Sequence, residues 1–238
     1  MSNRDKSDSP VENRILAALP KEVYQALLAK MRLVGLGHGD VLYDIGQAIQ
    51  YVYLPTDAVV SLVHVTRDGI SVEVGLVGME GVVGIPIVLG AMTSPYRAVV
   101  LVSGSAFRMK ASVLREEFNK AGPLQNLLHR YTHGLMMQIS CTVVCNRVHR
   151  IEERLARWLL MVQDRLLSDQ FRLTHEIIAD MLGVRRAGVS LAAGTLQKAG
   201  LIRYVHGKIT ILDRKGLEDV ACECYGISGE NFLEIGKR

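Results

Sequence analysis

The stretch THEIIADMLGVRRAGVSLAAGTLQKAGLIRYVHGKITIL, residues 174–212, decides the fold of the second half of the chain. Thr174 is a good helix N-cap, and Gly183 is suited to end that helix in the left-handed conformation. A second helix with one apolar side is predicted from near Arg185 to Gly200. Two apolar strands joined by a tight turn follow. Two helices, a turn with glycine and a β-hairpin together predict a winged helix-turn-helix unit.

The second helix of this unit has the composition of a helix that enters the major groove of DNA. Small side chains at 187, 188 and 192–194 keep it slim enough for a groove about 12 Å wide. Arginines near its N-terminus can bond bidentately to guanine. The residues expected to contact bases are Arg185, Arg186 and Ser190, and those expected to contact phosphates are Thr174, His175, Lys198, His206 and Lys208.

Positive charge is concentrated on the same part of the chain. The 238 residues carry a formal net charge of +4. Residues 146–215 hold 13 basic and 7 acidic side chains, a net charge of +6, whereas residues 1–145 carry +1 and residues 216–238 carry −3. A basic surface attracts the DNA backbone. Charge and helical pattern together therefore predict that this surface binds double-stranded DNA, in preference to the alternative that it is an ordinary solvated surface.

A long helix is predicted before this unit, from Pro123, which suits a first helical turn, to about Val148. Seven residues follow one side of this helix, the seam, at alternating steps of four and three: Leu124, Leu128, Tyr131, Leu135, Gln138, Thr142 and Cys145. This heptad-like seam is compatible with packing on the helix's own domain. We favour self-pairing in a homodimer, because the seam lies between a β-rich module and another unit.

Further upstream, glycines separate short apolar runs between residues 32 and 110. Their spacing is typical of a β-barrel or β-sandwich, and Arg67-Asp-Gly69 predicts a hairpin turn. Short helices are predicted on both sides, two around Pro20 and one over 111–119. The runs expected to form strands include residues 51–54, 59–63, 71–74 and 98–102.

The second half of the chain resembles the DNA-binding domain of the Crp/Fnr family of bacterial transcription regulators. The resemblance is carried by Phe171-Arg-Leu-Thr174, Ala179-Asp-Met-Leu-Gly183, Leu196-Gln-Lys-Ala-Gly-Leu-Ile202 and His206-Gly-Lys208. The β-rich stretch is similar to that family's effector domain, and the resemblance covers about residues 12–225. It implies an α+β fold: an N-terminal double-stranded β-helix (a cyclic-nucleotide-binding-like jelly roll), a long dimerisation helix and a C-terminal winged helix-turn-helix.

The resemblance also implies a domain organisation and a function. We expect a disordered leader over 1–11, the jelly-roll effector domain with flanking helices over 12–121, the dimerisation helix over 122–149 and the winged helix-turn-helix domain over 150–238. The implied protein is a cytoplasmic regulator that binds a pseudo-palindromic operator as a homodimer, with RNA polymerase as a further partner. The sequence has no apolar run of transmembrane length and a polar start unlike a signal peptide, so no membrane partner is expected.

The predicted recognition helix departs from the family pattern. The family's base-reading Glu and Arg positions are occupied here by Ala187 and Leu191. Arg186 and Ser190 match other base-reading positions of family members. A leucine makes only apolar contacts, for example with a thymine methyl group, so an altered operator preference is predicted.

The jelly roll departs from the family pattern as well. Members that bind cyclic nucleotides use a Glu for the ribose and an Arg for the phosphate, and those positions match Ile85 and Tyr96. Arg97 lies one residue after the family's Arg position. Because successive side chains of a strand point to opposite faces, it would face away from the ligand. Neither replacement supplies a buried carboxylate or guanidinium, so cyclic AMP is not expected to bind in the usual way and the effector is unidentified. The degenerate effector pocket comprises Gly84, Ile85, Tyr96, Arg97 and Ala98.

The positions of the cysteines give no reason to expect a cofactor. None precedes Cys141, whereas the family's oxygen-sensing branch uses an N-terminal cysteine cluster for an iron–sulfur centre. Cys141 and Cys145 share one helix face, either as buried small side chains or as a thiol pair that oxidises across the dimer or binds metal. Cys222-Glu-Cys224 is a poor chelate without partners, so no metal site is expected.

Enzymatic activity is not expected. The sequence has no phosphate loop, no Gly-x-Ser-x-Gly elbow and no His-Glu-x-x-His motif. The alternative function, from another class, is a small-ligand or redox sensor module. Its DNA binding would be switched by Cys141 and Cys145 or by an unknown ligand, or its basic domain would serve only as a scaffold.

Overall fold

A computed structural model of the chain describes residues 13–166 and 168–227. The predicted leader lies outside the described residues, as does the predicted C-terminal domain beyond residue 227. None of the helices within the described ranges is both long and apolar enough to span a membrane.

The N-terminal part is a β-rich domain preceded by two short helices, as predicted. The helices are α1 (Arg14–Ala17) and α2 (Lys21–Leu28), and the strands are β1 (Arg32–Leu36), β2 (Val41–Tyr43), β3 (Tyr51–Pro55), β4 (Val59–Val65), β5 (Ser71–Val77), β6 (Arg97–Val102) and β7 (Gly104–Lys110). They form two antiparallel sheets, β1-β7-β3 and β2-β6-β4-β5, that share one hydrophobic core. The turn predicted at Gly69 joins β4 to β5, and its φ of 80° is a conformation that glycine adopts without strain.

Helix α3 (Ala111–Phe118) leads into the long helix α4 (Pro123–Val148), which has the predicted start and end. The seam of α4 packs on the chain's own β-domain. Tyr131 is fully buried in that core, and a Cβ added to Gly81 would lie 2.4 Å from its ring. Gln138 accepts a hydrogen bond from the backbone N–H of Leu76, at 2.5 Å.

These contacts correct one prediction. The seam through Tyr131 and Gln138 is not a dimer face, because its side chains are already used inside the chain. Periodicity identified the buried side of α4 but not what covers it. A different row of apolar side chains is exposed on α4: Met136, Val143, Val144 and Val148.

The C-terminal part is a winged helix-turn-helix. Its elements are α5 (Ile151–Gln163), β8 (Gln170–Arg172), α6 (His175–Leu182), α7 (Arg186–Lys198), β9 (Ile202–Val205), β10 (Lys208–Ile211) and α8 (Arg214–Val220), with the strands in the order β8-β10-β9. The Thr174 hydroxyl caps α6 by accepting from the N–H of Ile177, and Gly183 ends α6 with a φ of 62°. Helix α8 ends at Val220, because Ala221 after it is extended, with a ψ of 147°.

The two parts are packed directly on each other. Val59, Leu76 and Leu101 of the β-domain belong to the same hydrophobic cluster as the buried faces of α5, α6 and α7. Helix α6 lies against β5. The outer face of the β4–β5 hairpin therefore forms part of the core under the winged helix-turn-helix.

Two buried carboxylates add polar contacts to this junction. The indole N–H of Trp158 donates to Glu73 at 2.8 Å, and the Ser61 hydroxyl donates to the same carboxylate at 2.6 Å. Glu80 pairs with Arg165 at 2.8 Å, with side-chain exposures of 4% and 6%. The junction is fixed by specific hydrogen bonds as well as by apolar burial.

Candidate nucleic-acid interface

One face of helix α7 is exposed to solvent. Its inner side, Val189, Ala192, Ala193 and Leu196, is buried in the domain core. On the outer side, Arg185 and Arg186 are exposed at its N-terminal end, and Leu191 is 74% exposed. The small residues predicted to slim the helix lie along α7, with Ala187 exposed and Ala192 and Ala193 in the core.

The N-terminal end of α7 meets the start of α6 in a small polar cluster. The Ser190 hydroxyl lies 2.9 Å from Nδ1 of His175 and also donates to the carbonyl of Arg186. The His175 ring stacks on Tyr204, with centroids 4.1 Å apart. Partial burial and the nearby Arg186 charge lower the pKa of His175, so the ring is neutral at neutral pH. His175 therefore holds Ser190 in place.

His175 does not present a free donor to solvent. Its Nε2 is buried and has no hydrogen-bond partner among the described residues. This placement differs from the predicted phosphate contact. Tyr204, which sequence reasoning missed, supports the ring from the wing strand β9.

Arg186 is the cationic group of this cluster. Its Nε lies 3.6 Å from the carboxylate of Glu176, and the two side chains are 70% and 69% exposed. An ion pair this exposed contributes little free energy. The guanidinium can therefore leave Glu176 for another partner at little cost.

The wing lies beside the cluster. Its two-residue turn has a φ of 48° at His206 and 76° at Gly207, and the Gly207 carbonyl accepts from the N–H of Leu173, next to Thr174. Lys208 opens β10 directly opposite Arg172 on β8. Arg172 was not predicted, although period-two alternation around the quoted Phe171 was a signal for an outward-facing side chain.

The structure gathers four of the eight predicted contact residues around one pocket, and Ser190 contacts His175 beside it. Around one shallow pocket lie Thr174, His175, Glu176, Arg186, Tyr204, His206 and Gly207. Lys198 is not among them, because it stands at the other end of α7, about 18 Å along the helix axis.

Comparisons with known proteins identify this arrangement. Residues 153–220 match the family model of the Crp-like helix-turn-helix domain. FixK2 from Bradyrhizobium japonicum is 19% identical and superposes with a TM-score of 0.70 over 81% of this chain and 98% of FixK2. TTHB099, a CRP-family transcriptional regulator of Thermus thermophilus, is 20% identical with a TM-score of 0.65 over 80% and 96%. The fold of the chain is therefore similar to that of solved Crp/Fnr-family regulators, and its helix-turn-helix domain matches the Crp-like model.

A curated relative matches over a shorter stretch. The transcriptional regulator SdrP of Thermus thermophilus is 33% identical over 78 residues, which are 30% of this chain. The match spans 39% of the length of SdrP. The expected resemblance to the family is confirmed, together with the β-rich domain that precedes the helix-turn-helix.

Three of the residues expected in a degenerate effector pocket, Ile85, Tyr96 and Ala98, pack in the hydrophobic core of the β-domain. Ile85 is buried in a 3₁₀ turn, and Tyr96 lies against Tyr43 with ring centroids 6.4 Å apart. Arg97 donates two hydrogen bonds to Asp44, at 3.0 and 2.9 Å, and lowers the pKa of that carboxyl. Arg97, the cation that the sequence places next to the expected phosphate position, is thus paired to a carboxylate. Of the remaining pocket residues, Gly84 precedes the 3₁₀ turn and Ala98 is buried in β6.

The cysteines lie together in the Crp/Fnr-type fold. Cys141 and Cys145 are buried against their own chain, where they cluster with Cys222 and Cys224. The Cys145 and Cys222 sulfurs are 3.2 Å apart, and this contact lowers the pKa of Cys145. Within the chain, the near neighbour of Cys145 is therefore the thiol of Cys222, 77 residues away in the sequence. The pair Cys222 and Cys224 has the partners that sequence reasoning took to be missing.

Proposed function

We propose that this Crp/Fnr-type chain is a transcription regulator that binds a pseudo-palindromic DNA operator as a homodimer. The observation that carries the proposal is the exposed N-terminal end of α7, where Arg186 and Ser190 stand beside a basic wing. A dimer places two such helices about one helical turn of DNA apart. The name of the relative SdrP supports the same function.

We assign a specific role to each of these side chains. Arg185, Arg186 and Ser190 read bases, with His175 as the residue that orients Ser190. Phosphate contacts come from Thr174, Lys198, His206 and Lys208, and we add Arg172 because it lies beside Lys208 in the sheet. The exposed Leu191 favours an operator that differs from the one the family's usual Arg would select.

The base-reading role of Arg186 is tested on DNA selected from a random library. Arg186→Ala should lose about 1–3 kcal/mol of discrimination between the selected operator and its single-base variants. Lys208→Ala should weaken binding to all sequences alike and reduce the salt slope by about 1. Affinities are measured by fluorescence anisotropy over a salt series.

The matched control is Lys21→Ala, which removes one exposed positive charge from α2, far along the chain from the interface. It should leave both affinity and salt slope close to those of the unmodified chain. Equal losses on operator and random DNA for Arg186→Ala would remove its assigned role. Failure of the selection to enrich any sequence would favour the rival function, a sensor module with a basic scaffold domain.

The proposed dimer uses the exposed face of α4 rather than its buried seam. Val143→Glu places a charge in the middle of the row formed by Met136, Val143, Val144 and Val148, and should convert the dimer to a monomer because an unpaired charge is costly to bury. Light scattering coupled to size-exclusion chromatography reports the mass. Val143→Leu keeps an apolar side chain and should stay dimeric. An unmodified chain that runs as a monomer, or a Val143→Glu dimer, contradicts this face.

The jelly roll is proposed to respond to something other than a conventionally bound cyclic nucleotide. Support comes from Ile85 and Tyr96 in the ligand positions and from the pairing of Arg97 with Asp44. RNA polymerase remains a proposed partner, since regulators of this kind act on transcription.

A further inference from the structure

Four potential metal ligands converge at the base of the long helix. The ligand atoms of Cys145, His149, Cys222 and Cys224 all lie within 4.8 Å of one another. Cys145 belongs to the last turn of α4, His149 to the link between α4 and α5, and both other cysteines to the segment after α8. Residues far apart in the sequence are thus brought to one point.

The spacing fits a single tetrahedral ion. Zn²⁺ bonds to sulfur at about 2.3 Å and to nitrogen at about 2.0 Å, so the ligand atoms of a tetrahedral site lie about 3.5–3.8 Å apart. The Cys145 and Cys222 sulfurs are 3.2 Å apart, and the Cys224 sulfur is 3.9 Å from Nδ1 of His149. Small rotations of these side chains reach ideal distances. An iron–sulfur cluster distributes its four protein ligands over two or four irons, so some of those ligand atoms would have to lie further apart.

The histidine is oriented as metal-binding histidines are. Its Nε2 lies 3.2 Å from a carboxylate oxygen of Glu223. A proton held there leaves the lone pair on Nδ1, the nitrogen that faces Cys224. A carboxylate behind a histidine is the common outer partner of a zinc ligand, because it fixes the tautomer and raises the basicity of the ring.

Buried positive charge provides a second, independent observation. Arg157 is 5% exposed, and its Nε and Nη2 have no hydrogen-bond partner among the described residues. Its side chain lines the same small cavity as Cys145. Three thiolates around a divalent ion leave a net charge of −1, so an anionic site would supply a counter-charge to this buried guanidinium.

We propose that Cys145, His149, Cys222 and Cys224 form a zinc-binding site. All four positions of the tetrahedron are filled by protein side chains, which is the pattern of a structural site rather than a catalytic one. The ion ties the segment after α8 to the end of α4, and so fixes the winged helix-turn-helix against the long helix. This site is separate from the DNA contacts and does not depend on the proposed regulator function.

The test uses the full chain purified with a thiol reductant and no added metal chelator. Elemental analysis should find about one zinc per chain. Replacement by Co²⁺ should give the intense visible bands and the sulfur-to-cobalt charge-transfer band of a tetrahedral thiolate site. Cys224→Ser and His149→Ala should each weaken Zn²⁺ affinity by more than about 100-fold, beyond the usual loss for an outer partner.

Cys141→Ser is the matched control, because Cys141 is a buried neighbour of the cluster but not one of the four ligands. It should keep the full zinc content and the cobalt spectrum. A chelator should lower the melting temperature of the unmodified chain and of Cys141→Ser alike. Three results overturn the proposal: a reduced chain that binds neither ion, an octahedral cobalt spectrum, or equal loss of zinc in Cys141→Ser. The spectrum of the unmodified chain decides the matter even if the ligand variants fail to fold.

Discussion

Arg165→Met is expected to lower the free energy of unfolding by about 3–5 kcal/mol, because it leaves the Glu80 carboxylate buried without its partner. Glu80 and Arg165 are 4% and 6% exposed and lie 2.8 Å apart. Arg165 also donates to the backbone carbonyl of Met161. The loss should appear in urea unfolding at neutral pH as a lower midpoint with an unchanged slope.

A double variant separates the buried charge from simple loss of contacts. In the unmodified chain, the Glu80 carboxylate accepts a hydrogen bond from the N–H of Gly78 at 3.2 Å. Glu80→Gln combined with Arg165→Met removes the buried charge but keeps an amide oxygen that can accept this bond. It should recover part of the stability that Arg165→Met loses. Arg150→Met removes an exposed arginine paired with Glu152 at 3.8 Å and should change stability by less than about 0.5 kcal/mol. If Arg165→Met is no less stable than the Arg150→Met control, the importance assigned to the buried Glu80–Arg165 ion pair is contradicted.

Glu73→Gln is expected to reveal a pH-dependent term of about 3 kcal/mol in the stability of the chain. Burial raises the pKa of Glu73 from 4.5 to about 7, against the opposing effect of the hydrogen bonds from Ser61 and Trp158 and the charges of Arg165 and Arg157. The folded state thus holds a proton that the unfolded chain releases near pH 4.5. The stabilisation is complete below pH 4.5 and is lost as the pH rises to about 7.

The measurement compares urea unfolding of both chains from pH 5 to pH 8. The glutamine does not titrate, so the stability of Glu73→Gln relative to the unmodified chain should rise with pH up to about pH 7 and then level off. The chain has one tryptophan, Trp158, whose indole bonds to Glu73, so its fluorescence should titrate near pH 7 and stop doing so in Glu73→Gln. Ser61→Ala removes a hydrogen bond that lowers this pKa and should move the midpoint to higher pH. A pH-independent difference between the two chains rules the effect out.

Local signals in the sequence were enough to place most of the elements. Pro123 marks the start of α4, Thr174 and Gly183 delimit α6, and the wing turn at Gly207 needs a left-handed residue. Each of these depends on the backbone preferences of one or two residues. Such preferences act over a single turn, so they are visible without knowledge of the rest of the fold.

Contacts between distant segments were beyond the same reasoning. The period of α4 showed that Tyr131 and Gln138 share a face, but only the three-dimensional structure shows Gly81 and Leu76 against them. The zinc ligands illustrate the same limit, because 77 residues separate Cys145 from Cys222. His175 was assigned to phosphate because its position suited it, and the stacked Tyr204 that redirects it to Ser190 comes from another strand.

The hydrophobic cluster that joins Val59, Leu76 and Leu101 to the winged helix-turn-helix has a consequence for cooperativity. The boundary near residue 149 divides the chain into two sequence modules but not into two units of unfolding. Neither module can open fully without exposing the shared apolar surface to water. A signal that passes between them must shift a packed interface between discrete arrangements instead of swinging one part on a flexible tether.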